Sequence, residues 1–119
     1  MKYLLLIYEN ETNWAKVPEA ERGKIYQEYR DYTTAIRNSG NHIAGEELQP
    51  TSSATTVRVK DGKTVTTDGP FAETREQLAG FYMVEAKNLD EAIALAARIP
   101  SARSGSIEVR PVMPMHSPE

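Results

Sequence analysis

Two short segments of the chain, residues 3–8 and 80–86, are apolar on both of the faces that a strand would present. Each is shorter than an ordinary helix, and each lacks the alternation of apolar and polar residues that marks a half-exposed strand. Side chains alternate along a strand, so consecutive apolar residues place apolar groups on both sides of a sheet. We therefore predict two strands that are buried on both faces.

Helical periodicity lies between and after these strands. A helix is predicted over residues 18–38, with Pro18 at its first position and Gly40 as a left-handed C-cap. Its apolar stripe consists of Ile25, Tyr29, Tyr32 and Ile36. A second helix is predicted after the capping pattern of Asn88 and Glu91, and it ends before Pro100.

The remaining segments complete an alternating order of strands and helices. Strands are predicted over residues 41–48 and 106–112, and a hairpin over residues 55–67 turns at Asp61-Gly62. Residues 9–16 and 49–54 are polar and are predicted to be loops. Thr74 and Gln77 have the spacing of a capping box for one helical turn. The order predicts an α+β fold, a ferredoxin-like βαββαβ sandwich with an inserted β-hairpin.

This fold predicts a second copy of the chain. Two helices cover only one face of the sheet, and the other face of residues 3–8 and 80–86 would expose an apolar patch on the order of several hundred Å². A two-fold homodimer, packed sheet to sheet, would bury that patch. The alternative is that the hairpin at residues 55–67 folds back over the same face.

Composition restricts the class of protein. The chain has 119 residues, which favours a single domain, here assigned to residues 1–113, with a flexible tail at residues 114–119. The net charge is −3 and basic residues are scattered, so we expect no nucleic-acid partner. Cysteine is absent, which fits a reducing compartment. The amino-terminal apolar run is about six residues, shorter than the roughly 7–15 of a secretory signal. No segment approaches the ~20 residues of a membrane span, so we expect a cytoplasmic protein with no membrane contact.

The densest polar segment reads DGPFAETREQLAGFY and covers residues 68–82. It resembles the signature DGPFAETKEQLGGFY of the DGPF branch of the YCII-related family. The resemblance extends to LLLIY near the start, AGEELQP at 44–50, ATTVRVKDGKTVTTDGPF at 54–71, LDEAIALAARIPSA at 89–102 and GSIEVRPV at 105–112. Two positions depart from the signature: Arg75 stands for the usual lysine, and Ala79 for the usual glycine.

Membership would imply a ferredoxin-like fold of the dimeric α/β-barrel type, and it would imply no known reaction. The genes of such proteins often neighbour those of extracytoplasmic-function sigma factors, which suggests a regulatory context. Some YCII-like relatives carry a His–Asp pair on and just after the first helix. The matching positions here are Tyr29 and Asn38, so that chemistry does not transfer.

Six residues are candidates for a site. Asp68 and Glu73 are the catalytic acid/base candidates, and the ligand-binding candidates are Arg75, Glu46, Phe71 and Tyr82. Plainer roles compete with these: an Asx-turn at Asp68, an ion pair between Glu73 and Arg75, and a core anchor at Phe71. Tyr82 is compatible with either a dimer interface or a pocket.

Other kinds of site are not supported by the sequence. His42 and Glu46 have metal-ligand spacing for a helix, but on a strand they would be about 13 Å apart. We therefore predict no metal and no cofactor, and no role for His116 in the tail. The sequence contains no nucleotide-binding glycine motif and no nucleophile elbow.

Three functions remain open on the residues alone. The first is binding of a small polar metabolite, with or without its transformation, between the sheet and the loop at residues 68–77. The second is a non-catalytic interaction module whose partner is a protein such as a sigma factor. In the third, the signature only stabilises the dimer. Whether the chain is an enzyme is not decided by its residues.

Overall fold

A computed structural model describes residues 1–115. Residues 116–119, which include His116 and most of the predicted tail, lie outside the described part of the chain. The elements, in chain order, are β1 (Lys2–Glu9), α1 (Glu11–Ala15), α2 (Glu19–Asn38), β2 (His42–Glu47), β3 (Thr55–Lys60), β4 (Lys63–Asp68), β5 (Gln77–Glu85), α3 (Leu89–Ala97) and β6 (Ser106–Pro111). Single 3₁₀ turns precede β3 and β6.

Four strands form one antiparallel sheet in the order β2-β5-β1-β6, and α2 and α3 are the crossover helices of its two split β-α-β units. The two apolar segments of the sequence become its central pair, because β1 pairs with β5 along its whole length. This arrangement confirms the predicted ferredoxin-like α+β fold.

The hydrophobic core lies between this sheet and the two long helices. Tyr3, Leu5 and Ile7 of β1 are buried in it, and Leu5 is 0% exposed. Tyr82 and Val84 of β5 join them from the same face of the sheet. The helices and the turn that follows α3 contribute Tyr32, Ile36, Ala92, Leu95, Ala96 and Ile99. Alternate side chains of β1 and β5 thus lie on the core face of the sheet, as expected for strands with apolar residues on both sides.

The opposite face of the sheet is the open face, and it carries Leu4, Leu6, Phe81 and Met83, all partly exposed. Leu4 lies opposite Met83, and Leu6 lies opposite Phe81. These four side chains therefore form one continuous apolar area that no helix within residues 1–115 covers.

The hairpin does not cover the open face either. β3 and β4 pair only with each other, as a separate two-stranded sheet. Val59 is 69% exposed, and Val57 and Val65 are also exposed. The alternative in which residues 55–67 fold back over the sheet is therefore wrong. The three exposed valines therefore form a second uncovered apolar surface. A two-stranded hairpin that packs against nothing is only marginally stable in water.

Turn chemistry behaves as the sequence predicts. Asp61 and Gly62 have φ values of 51° and 77°, as a type I′ hairpin turn requires. Gly40 has a φ of 79° just after α2, the left-handed conformation that ends many helices. Pro18 lies at the N-cap of α2 rather than at its first position, a shift of one residue.

Two local predictions are wrong. Residues 9–16 are predicted to be a loop but contain α1, whose N-cap Asn10 accepts a hydrogen bond from the Asn13 amide. No helical turn follows Thr74, because Gln77 opens β5 and pairs with Glu9 of β1. The Gln77 side chain donates to the Thr74 carbonyl instead. Pairing with a central strand here outweighs a weak local capping signal.

Candidate functional site

A cavity of about 570 Å³ lies between α2 and the β2–β5 half of the sheet. We call it the helix–sheet cavity. One wall is the face of α2 that carries Ile25, Tyr29, Thr33 and Arg37, spaced four residues apart. Residues at that spacing share one side of a helix. The facing wall consists of Tyr82 from β5 and of His42 and Gly45 from β2.

One end of the cavity is built from α1 and the loop before β3. Trp14 of α1 meets Tyr26 of α2 edge to face, with ring centroids 5.9 Å apart. The Glu11 carboxylate accepts hydrogen bonds from the amide and hydroxyl of Thr51, at 2.7 and 2.8 Å. The short helix that the sequence did not predict therefore holds the loop at residues 49–53 beside the cavity.

Two pairs of hydroxyl groups cross the cavity region. Tyr29 of α2 is hydrogen-bonded to Ser101, which is buried in the 3₁₀ turn before β6. Thr33, one helical turn further on, is hydrogen-bonded to the Tyr82 hydroxyl at 2.7 Å. Each bond joins α2 to a distant segment, so α2 is fixed relative to the sheet by polar contacts as well as by packing.

Gly45 makes room for the Tyr82 ring. A Cβ atom at position 45 would lie 2.7 Å from Cδ1 of Tyr82, closer than carbon atoms approach. Gly45 also lies directly opposite Tyr82 in the sheet. The absence of a side chain therefore lets the ring lie over β2, where its hydroxyl reaches Thr33.

Burial keeps the cavity tyrosines protonated. Desolvation raises the pKa of Tyr29 to about 12, despite the opposing hydrogen bond to Ser101. Desolvation also raises the pKa of Tyr82, and the hydrogen bond to Thr33 and the charge of Arg37 partly offset that increase. At neutral pH both groups are therefore neutral hydroxyls that can donate a hydrogen bond to an oxygen atom.

Charged groups of opposite sign lie at the two ends of the cavity. Arg37, in the last turn of α2, lies near His42 at the start of β2. Glu9, Glu11 and Glu47 line the other end, beside Trp14 and Tyr26. Within residues 1–115, the Arg37 side chain forms no hydrogen bond or ion pair with another residue.

A pH effect on stability follows from His42. Burial, and secondarily the charge of Arg37, lowers the pKa of His42 below its ordinary 6.5. The unfolded chain therefore binds this proton more readily than the folded chain, and the free energy of unfolding falls as pH drops through about 6.5. Between about pH 7.5 and about pH 5, chemical denaturation should show a larger loss for the wild type than for His42→Gln. Equal losses in the two proteins would contradict this assignment.

The six predicted site residues fall into two groups. Tyr82 lines the helix–sheet cavity from the core face of β5, and Glu46 borders the same cavity although it lies opposite Phe81 of the open face. Asp68, Phe71, Glu73 and Arg75 do not line the cavity, because they lie at the end of β4 and in the loop that follows, and all are exposed. The expected position of the pocket, between the sheet and the 68–77 loop, therefore differs from that of the observed cavity. The catalytic assignment of Asp68 and Glu73 stays a prediction.

The plainer alternatives for the loop are not observed. Phe71 is 81% exposed, so it is not a core anchor. Pro70 has no N–H to close an Asx-turn, and the Gly69 amide donates to the Ala54 carbonyl. No amide within residues 1–115 donates to the Asp68 carboxylate, so the expected Asx-turn is absent. Among the described residues, Glu73 and Arg75 form no ion pair. These side chains are therefore exposed to solvent, without a polar contact to another described residue.

Sequence reasoning missed most of the cavity. Thr33, Arg37 and Ser101 are not among the predicted site residues. Tyr29 is predicted only as a member of the apolar stripe of the first long helix, and it is also a position where the residue differs from that of some relatives. The available signal was polar residues at four-residue spacing along one side of the first long helix. Ser101 gave no signal, because only the fold brings it 72 positions back to Tyr29.

No group of three or more potential metal ligands clusters within residues 1–115. His42 lies opposite the buried Val84, whereas Glu46 lies opposite Phe81 of the open face, so their side chains leave β2 on different sides. The part of the chain that the structure describes also contains no helix long and apolar enough to cross a bilayer.

The sheet order and the cavity define the class of this protein, a ferredoxin-like α+β domain with a ligand-sized cavity under its first long helix. The chain belongs to the family of the YCII-related domain, whose model matches residues 1–116. It is similar to an uncharacterised protein of Rhizobium meliloti (strain 1021), with 35% identity over 114 residues that cover 94% of this chain and 92% of that protein.

Proposed function

We propose that this protein binds a small polar metabolite in the helix–sheet cavity. The observation that carries the proposal is the cavity itself, about 570 Å³ and lined by aromatic rings with a few convergent polar groups. Ligand sites in proteins have this size and this composition. The walls offer apolar surface to a ligand, and the hydroxyls of Tyr29 and Tyr82 can orient it by hydrogen bonding.

The cavity also offers groups for chemistry. Tyr29 is a neutral hydroxyl that stays protonated far above neutral pH, so it can donate a hydrogen bond to a developing oxyanion. Glu9 lies near enough to raise the pKa of Tyr29 through its charge. The proposed function is binding. A ligand found by screening can then be tested for chemical conversion by the protein.

A thermal-shift screen of polar metabolites tests this function. A ligand present at 100 times its dissociation constant stabilises the fold by about 2.7 kcal/mol. Thr33→Phe places a ring in the cavity and should abolish the shift, whereas Thr34→Phe, at the adjacent exposed position, should retain it. Each variant is first melted without ligand, so that a loss of stability is not mistaken for a loss of binding.

The same screen separates the cavity from the loop. If the thermal shift caused by a compound is retained in Thr33→Phe but lost in Asp68→Asn, the compound binds at the loop of residues 68–77 and the cavity proposal fails. Survival in Asp68→Asn together with loss in Thr33→Phe would support the cavity and would leave Asp68 without a role in binding.

We further propose that a second copy of the chain covers the open face. The support is the uncovered area formed by Leu4, Leu6, Phe81 and Met83, together with the exposed hairpin. The exposed Phe71 also favours the rival function, a module that binds another protein such as a sigma factor. A second copy of the chain and a different partner protein can be distinguished experimentally, because only a second copy can bind to the open face in a solution of the purified protein alone.

A further inference from the structure

The charge distribution in the helix–sheet cavity carries information about its ligand. At one end, the guanidinium group of Arg37 is permanently charged and presents five N–H donors. No carboxylate of residues 1–115 pairs with it. Its position in the last turn of α2 suits the helix dipole, but that interaction uses none of its donors.

Nearby groups strengthen this end as an anion site. Arg37, His42 and Tyr82 line the same part of the cavity, and the ring centroids of His42 and Tyr82 are 6.3 Å apart. The positive charge of Arg37 acts to lower the pKa of both of these groups. Within residues 1–115, no carboxylate forms an ion pair with His42. An anionic oxygen placed here would meet the positive charge of Arg37 and the neutral hydroxyl of Tyr82.

The opposite end of the cavity carries carboxylate oxygens that can accept hydrogen bonds from a ligand. Glu11 is occupied by Thr51, but Glu9 and Glu47 each use only one carboxylate oxygen, in hydrogen bonds from Ser104 and Tyr26. One positive group is close, since Arg22 lies 5.4 Å above the Trp14 ring, and its terminal nitrogen is held by the Trp14 and Ala15 carbonyls. Three carboxylates against one guanidinium leave this end negative.

The two ends are well separated. His42 and Glu47 are the first and last residues of β2, five residues apart, which corresponds to about 16 Å between Cα atoms. On the facing wall, Tyr29 and Arg37 are two helical turns apart, or about 12 Å. Side chains reaching inward shorten the gap, so a ligand that touches both ends is elongated, with its charges roughly 10 Å apart.

We propose that the helix–sheet cavity takes an elongated zwitterion, whose carboxylate lies between Arg37 and His42 and whose cationic amine lies between Glu9 and Glu47. This deepens the proposed function and depends on it. The aromatic side chains and Ile25 pack against the chain that joins the two charges.

Three probes of equal length test the proposal. The zwitterion is ω-amino-octanoate, and its matched controls are octanoate, which lacks the amine, and octylamine, which lacks the carboxylate. Calorimetric titration should show the zwitterion binding at least tenfold more tightly than either control. Octanoate binding as tightly as the zwitterion would overturn the role of the acidic end, and the same result with octylamine would overturn the role of Arg37.

Substitutions assign each charge to its end. Arg37→Gln should remove the advantage of the zwitterion over octylamine, and Glu9→Gln combined with Glu47→Gln should remove its advantage over octanoate. Lys24→Gln and Glu73→Gln, both exposed and outside the cavity, should change neither ratio. If none of the probes binds while a library compound is lost in Thr33→Phe, the zwitterion proposal fails and the proposed function stands. If no library compound depends on Thr33, both fail.

Discussion

Ile36→Ala should lower the free energy of unfolding by about 2–5 kcal/mol, the range for truncating a large aliphatic side chain in a packed core. Ile36 is 0% exposed and belongs to the cluster that α2 and α3 build against the sheet. The truncation removes apolar contacts and leaves a cavity that its neighbours fill only in part. Chemical denaturation monitored by circular dichroism measures the change, which is a large part of the roughly 5–15 kcal/mol that stabilises a native protein.

Ile93→Ala is the matched control, because it makes the same substitution in the other long helix. Ile93 is 49% exposed, and alanine has the higher helix propensity, so the stability should change by less than about 1 kcal/mol. Similar losses in the two variants would show that the helices are not packed as described, since the proposed contrast depends only on burial.

The second large effect is expected on self-association. If a second copy covers the open face, Leu4→Arg places a charge within that interface, beside Arg110, its neighbour on β6. A buried charge without a partner costs about 3–5 kcal/mol, and two-fold symmetry introduces it twice. Sedimentation equilibrium should therefore show the dimerisation constant weakened by at least about a hundredfold.

The monomer should tolerate the same substitution, because Leu4 is only partly buried within one chain. Circular dichroism of Leu4→Arg should thus show native secondary structure. Ile93→Arg, on the outer side of α3, is the control and should leave association unchanged. A wild-type protein that sediments as a monomer at micromolar concentration would rule out the homodimer and favour a different partner for the open face.

The sequence alone determined the features that depend on local conformation and on the period of the apolar residues. The doubly apolar run at residues 3–8 predicted a central strand of the sheet, and the period of two along it put Leu5 on the opposite face from Leu4. Burial of its second face stays a prediction, because Leu4 and Leu6 are partly exposed in the single chain. Asp61-Gly62 specified the hairpin turn, since few residues adopt positive φ without strain. The three- and four-residue spacing from Ile25 to Ile36 predicted a helix, and Pro18 and Gly40 placed its ends to within one residue of those of α2.

Only the tertiary structure decided where the cavity lies. It is assembled from α2, β2, β5 and the turn that carries Ser101, and no local pattern relates Tyr29 to a residue 72 positions away. The loop at residues 68–77 showed the opposite behaviour, because its polar density marked it as a site while the fold left it exposed. Local propensity is set by neighbours in sequence, whereas a cavity is the space left when distant elements pack. Burial and the position of each charge in that space therefore follow from the packing alone.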